Sequence, residues 1–181
     1  MATEKWNFDA VHSNVGFSVR HLMISKVHGH FKVWKGTMLL DEADPSAGKL
    51  EVDIDTASVD TKEPQRDDHL RSADFLDVQK YPLITFRSTS VERKSDDYYR
   101  LTGQFTIRDV TREISFDVEY LGRTKDPWGG ERIGFTAKTS IERKDYGLVF
   151  NIPLEGGGVM VGERVDITLD VEAVKEAQAA A

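Results

Sequence analysis

Apolar and polar residues exchange places at every second position along most of this chain. Val15, Phe17, Val19 and His21 share one parity, while Asn14, Gly16, Ser18 and Arg20 take the other. Leu50, Val52 and Ile54 alternate with Glu51, Asp53 and Asp55, and Leu101, Gly103, Phe105 and Ile107 alternate with Thr102, Gln104, Thr106 and Arg108. The pattern returns in Ile114, Phe116, Val118 and Tyr120, in Ile133, Phe135, Ala137, Thr139 and Ile141, and in Val165, Ile167, Leu169 and Val171. Successive side chains of an extended chain point to opposite faces, so each run is a strand with one apolar face. Runs from His28 to Leu40 and from Ile84 to Arg93 read the same way, which makes about eight strands. One-sided alternation belongs to antiparallel sheets, because buried parallel strands are apolar on both faces. Turn residues punctuate the runs at Asp44-Pro45-Ser46-Ala47-Gly48, Ser95-Asp96-Asp97, Asp126-Pro127-Trp128-Gly129-Gly130 and Gly156-Gly157-Gly158. The expected architecture is an all-β up-and-down barrel or a sandwich.

One segment departs from the pattern. Between Thr61 and Tyr81, Pro64 stands where a helix begins, Gln65 to Ser72 follow, and Pro82 stops the chain. A short helix is expected there, with Asp67 and Arg71 as an i,i+4 pair and Leu70 as its apolar contact. A helix inserted between barrel strands often packs at the barrel mouth. With 181 residues the chain makes one domain over residues 1–175, and residues 176–181 are expected to fray.

Composition narrows the function. The balance of 24 basic and 31 acidic residues leaves a net charge of −7, the wrong sign for gripping a nucleic-acid backbone. No cysteine is present, so thiolate metal sites, disulfides and cysteine nucleophiles are all excluded. The N-terminus lacks a basic stretch followed by an apolar run, and no segment reaches the length of a membrane span. A cytoplasmic location without a membrane span is the expectation.

Several residue types could carry chemistry. His28 and His30 are two apart, so on a strand they face one way and could share a metal; a third ligand is not evident. His12 and Ser13 are adjacent and point to opposite faces, which disfavours a base–nucleophile pair and favours backbone bonds at a strand entry. The Gly156–Gly158 run lacks the lysine of a phosphate loop. His21 continues the apolar face of Phe17 and Val19 and so is placed inside. It is either a satisfied core histidine or a polar contact for a ligand entering the barrel. Phe17, Phe31, Phe86, Phe105, Phe116 and Phe135 come from six strands with the same inward parity. Eight strands is the size at which such side chains either fill a barrel or line a hollow one.

The chain resembles the YceI-like, polyisoprenoid-binding family of bacterial lipocalin-like proteins. The likeness is carried by Trp6-Asn7-Phe8-Asp9, by His12-Ser13-Asn14-Val15-Gly16-Phe17 through His21, and by Gly29-His30-Phe31. It continues in Arg66-Asp67-Asp68-His69-Leu70-Arg71 through Asp77, in Ile107-Arg108-Asp109-Val110-Thr111, in Arg143-Lys144-Asp145-Tyr146-Gly147 and in Val161-Gly162-Glu163-Arg164-Val165. The resemblance implies an extended eight-stranded antiparallel lipocalin-like barrel with a short helical insertion. It further implies a homodimer that stores or carries a long isoprenoid lipid, a polyprenyl phosphate or an isoprenoid quinone, without catalysis or a further cofactor. Phe17, Val19, His21, Phe31, Phe86, Phe105, Phe116 and Phe135 are then expected around the lipid chain, with Arg66, His69 and Arg71 near its head group. Two alternatives stand beside it: a metal-assisted enzyme with His28 and His30 at the rim, and a filled barrel acting through its surface in stress responses.

Overall fold

The structure, a computed structural model, describes residues 3–177. Eleven strand segments follow one another as β1 (Glu4–Phe8), β2 (Asn14–His21), β3 (Ser25–Phe31), β4 (Trp34–Leu40), β5 (Lys49–Asp55), β6 (Val59–Asp60), β7 (Leu83–Arg93), β8 (Tyr98–Ile107), β9 (Val110–Lys125), β10 (Glu131–Glu142) and β11 (Val161–Lys175). Six of these are halves of three bent arms. β1 continues into β2 around the 3₁₀ turn Ala10–His12, β3 into β4 across Lys32 and Val33, and β5 into β6 across the turn Thr56–Ser58. Each arm is antiparallel to the next, from the β1/β2 arm to β11. The last arm returns to the first, with β11 pairing β1 from Trp6↔Lys175 to Phe8↔Ala173 and β2 from Leu169↔Val15 to Val165↔Val19. The expected eight-stranded antiparallel barrel therefore closes, leaving among the described residues only the two-residue β6 paired on one side.

The stretch expected as one strand from His28 to Leu40 instead begins at Ser25 and bends at Lys32–Val33. The bend keeps its backbone bonds: Lys32 donates to Ser58 O at 3.2 Å, and Asp55 donates to Val33 O at 3.0 Å. Two bulges also matter. On β7 the register shifts between Ser88 and Ser90, and on β9 it shifts where Gly134 faces Gly122 and Phe135 faces Tyr120. Leu121 is the extra residue of the second bulge, so inward parity passes from Tyr120 to Arg123.

The helix α1 spans Pro64–Arg71. Glu63 caps its start by accepting from Gln65 N at 3.0 Å, with proline in the first turn, where its missing N–H costs nothing. Ser72 ends it, its hydroxyl donating to His69 O at 2.6 Å. The expected Asp67–Arg71 pair does not form. Asp67 is buried and accepts from Thr61 N at 2.8 Å and from Thr61 Oγ1 at 2.5 Å, so its charge is spent on the turn that enters the helix. Arg71 pairs with Asp68 at 3.0 Å instead. At the other terminus Glu176 N still donates to Lys5 O at 2.8 Å; residues 178–181 of the tail expected to fray lie outside the described residues. Among the described residues no helix is long and apolar enough to cross a membrane.

Candidate functional site

Inward parity from all eight arms encloses one cavity of about 720 Å³ that runs the length of the barrel. Its walls are overwhelmingly apolar, drawn from residues such as Val15, Val52, Ile84, Leu101, Ile167 and Leu169. Phenylalanines stack in edge-on and tilted pairs along it, Phe86 on Phe116 at 5.4 Å between ring centres and Phe17 on Phe31 at 5.6 Å. The lumen stays hollow partly because inward positions such as Gly29, Gly36 and Gly103 carry no side chain. A Cβ on Gly29 would lie 2.3 Å from Phe17 Cζ, and one on Gly103 would lie 2.5 Å from Phe86 Cζ. Each ring therefore lies flat against a neighbouring strand rather than across the bore.

The two ends differ. At the end where β1 begins and β11 finishes, Trp6, Ile133 and Ala173 form a small core of their own that is almost wholly shielded, with Trp6 at 0% exposure. Above it lies a ring of charges. Arg123 stacks over Trp6 at 5.1 Å, donates to Glu4 at 3.2 Å and to Glu131 at 2.8 Å, and also reaches Glu42. Lys175 joins Glu4 at 2.7 Å and Glu131 at 3.1 Å. Burial pushes the Glu4 carboxyl up, but hydrogen bonds from Lys175 and Arg123 outweigh it and hold the group below its usual range. A second network flanks the first, where Arg132 binds Asp9 at 2.9 Å, Glu172 at 2.6 Å and Asp126 at 3.1 Å. His12, Arg132 and Val11 N together bring Asp9 down to about 2.

At the opposite end α1 lies across the opening and contributes Arg66, His69 and Leu70 to the cavity wall. His69 packs edge-on between Phe75 and Phe150 at 5.0 and 4.7 Å, and its Nε2 meets Asp74 Oδ2 at 2.9 Å. Beside them Arg143, only 4% exposed, reaches into the lining from the 3₁₀ turn that follows β10. Its Nε donates to Gly162 O at 2.8 Å, its Nη1 to Leu148 O and Phe150 O at 2.7 and 2.9 Å, and its Nη2 to Val161 O at 3.3 Å. All these acceptors are neutral carbonyls, and burial draws its pKa below the usual arginine value. A buried cation that bonds only to carbonyls among the described residues, with the charge of Glu163 favouring it, thus stands at one end of an apolar tunnel.

Phe17, Val19, His21, Phe31, Phe86, Phe105, Phe116 and Phe135 all line the cavity, together with Arg66 and His69. Arg71 does not. Its guanidinium donates to Ala57 O at 2.9 Å and Val59 O at 3.1 Å, which ties α1 to the β5/β6 arm rather than facing the lumen. His28 and His30 face outward and have no third ligand among the described residues. His28 is exposed, and His30 Nε2 lies 3.9 Å from Asp60. Among the described residues the one group of three close histidine and carboxylate side chains is Asp9, His12 and Glu172. Arg132 already binds two of its members, so a guanidinium occupies the place of a metal. Ser13 does satisfy the backbone, accepting from Glu172 N at 2.9 Å and donating to Glu172 O at 3.3 Å. Sequence reasoning missed Arg143 as a cavity residue; an arginine directly after an apolar-faced strand was the available signal.

The family of the YceI-like domain matches residues 6–173. The chain belongs to the YceI family. It is 42% identical over 175 residues to Protein YceI of Escherichia coli O17:K52:H18 (strain UMN026), a match covering 97% of this chain and 88% of that protein. Among solved structures, the Campylobacter jejuni YceI protein superposes with a TM-score of 0.73 at 34% identity, covering 88% of this chain and 90% of that one. BcnA of Burkholderia cenocepacia shares the fold, with a TM-score of 0.79 at 20% identity over 91% of this chain and 98% of that one. So does a polyisoprenoid binding domain from Saccharophagus degradans, at 0.69 and 17% identity over 94% and 98%. The YceI fold is thus shared well beyond the range of close sequence identity.

Proposed function

We propose that this protein binds a long isoprenoid lipid, stores or carries it, and performs no chemistry on it. The observation that carries the reading is the apolar cavity running from beside the Trp6 core to the mouth under α1. A flexible hydrocarbon gains about 0.8 kcal/mol per buried CH₂, so such a tunnel holds a chain without polar contacts along its length. A cavity of this size falls within the range of small-molecule sites. The chain enters tail first, its tail reaching toward the buried Trp6 core. The head group stays near Arg66, His69 and Arg143, where charge-assisted donors suit a phosphate or a quinone oxygen. The polyisoprenoid binding named for the Saccharophagus degradans domain supports the same ligand class. Native mass spectrometry of the purified protein, followed by organic extraction, tests the reading. A co-purified lipid, or uptake of polyprenyl phosphate or isoprenoid quinone by the extracted protein, is expected. Absence of both overturns it.

A further inference from the structure

The hairpin between β2 and β3 stands beside the mouth and carries three conspicuous features. Its tip is Leu22-Met23-Ile24, at 39, 52 and 84% exposure. Leu22 and Met23 hold φ of +52° and +65°, and Ile24 N donates to His21 O at 3.2 Å, a turn that ordinarily calls for asparagine and glycine. Large apolar side chains are thus kept in water at a turn whose backbone disfavours them. Directly behind the tip, Arg20 and Lys26 face each other across the two strands, a like-charge pairing that costs stability. Neither forms an ion pair among the described residues; Asp166, the acid whose charge Lys26 influences, is held by Ser140 and Arg164. The tip adjoins a second apolar edge. Leu22 N donates to Met160 O at 2.8 Å, Met160 N donates to Ile152 O at 2.9 Å, and Ile152 and Val149 are exposed. The charge pattern extends further. In a chain of net charge −7, the stretch from Ala10 to Leu40 contains no aspartate or glutamate and carries Arg20, Lys26, Lys32 and Lys35.

We propose that the β2–β3 tip and the Val149–Ile152 edge dock this protein on an anionic lipid bilayer, with the cavity mouth turned toward the membrane. Apolar side chains ahead of unpaired cations are the arrangement by which a protein lies on such a surface without spanning it. On an anionic surface the exposed apolar tip is buried and the Arg20–Lys26 repulsion is relieved. The acidic remainder of the molecule is repelled, which orients it. The proposal rests on the lipid-binding reading above, because docking there brings the opening to the lipid source.

The deciding variant is Leu22→Asn/Met23→Gly, which removes apolar surface and supplies the residues the turn prefers. Delipidated wild-type protein is expected to co-sediment with phosphatidylglycerol/phosphatidylcholine vesicles, weakly with phosphatidylcholine alone, and less as salt rises. The variant is expected to melt no lower than the wild type and to take up polyprenyl phosphate from detergent unchanged. Its vesicle binding should fall by about tenfold or more. Unchanged vesicle binding overturns the proposal, as does wild-type binding indifferent to lipid charge. A wild-type dimer that the variant makes monomeric, with no vesicle binding by either, overturns it in favour of a second copy on the tip. Failure of uptake from detergent counts against the lipid-binding reading itself, so the two failures are distinguishable.

Discussion

The two ends of the barrel are built from opposite materials. The floor closes with a fully buried tryptophan beneath Arg123, Glu4, Glu131 and Lys175, every one of which finds an oppositely charged partner. At the mouth the buried cation Arg143 is held only by backbone carbonyls, and apolar side chains stand in water on the adjoining hairpin. Charges at the floor are thus consumed in holding strands together, whereas at the mouth both charge and apolar surface are left over. Stability is concentrated at one end and the capacity to engage a ligand at the other.

Truncation at the floor gives the largest expected effect. Trp6→Ala should cost about 3–5 kcal/mol in urea unfolding, since it empties a buried site below an ion network. If it costs no more than Ile24→Ala at the exposed tip, the contrast between the ends collapses. Arg143→Met comes next. It removes the side-chain donor from the carbonyls of Leu148, Phe150 and Gly162, while Val161 O keeps Asn151 Nδ2 at 2.7 Å, and an expected loss of about 2–3 kcal/mol should appear with faster amide exchange over residues 147–160. Acid then separates the ends. Asp9 falls from an ordinary 3.8 to about 2 on folding. A carboxylate depressed in this way adds stability above its ordinary value and loses it as pH drops from about 4 to about 2. The contribution at neutral pH is about 2 kcal/mol, and Asp9→Asn should flatten stability over that window by the same amount. The smallest effect belongs to Arg71→Ala. Loss of its bonds to Ala57 and Val59 should cost about 1 kcal/mol, with lipid uptake unchanged. A change in head-group preference without a change in stability would return Arg71 to the mouth.

Period-two parity made the wall of the cavity readable, because Phe17, Phe31, Phe86, Phe105, Phe116 and Phe135 sit in regular strand where side chains strictly alternate. It failed where the backbone departs from that rule. Arg123 stands opposite Ile133 over Trp6 only because Leu121 is looped out, and a bulge of one residue leaves no mark in an alternating pattern beyond the neighbouring Gly122. Arg143 was hidden for a different reason. Its partners lie on Leu148, Phe150, Val161 and Gly162, and the path of that loop is decided by tertiary packing rather than local preference. At α1 the composition suggested a helix, but whether Asp67 pairs with Arg71 or turns to Thr61 depends on which face of the helix meets the barrel.

The pairing of Phe17 with Gly29, and of Phe86 with Gly103, has a consequence for what can pass along the axis. In both pairs the wall gains its thickness from one residue and its clearance from the absence of another, so the calibre of the passage hangs in part on missing carbon atoms. Alanine at Gly29 would meet the Phe17 ring alone, and in a close-packed wall that ring has only the lumen to swing into, whereas alanine at Gly103 would also meet Arg87 O at 2.5 Å and press on the strand itself. A single methyl group, placed on the strand rather than on any residue touching the ligand, would act as a choke on the bore. Homologues with a larger residue in place of Gly29 would then accept chains of narrower girth while keeping the same aromatic residues.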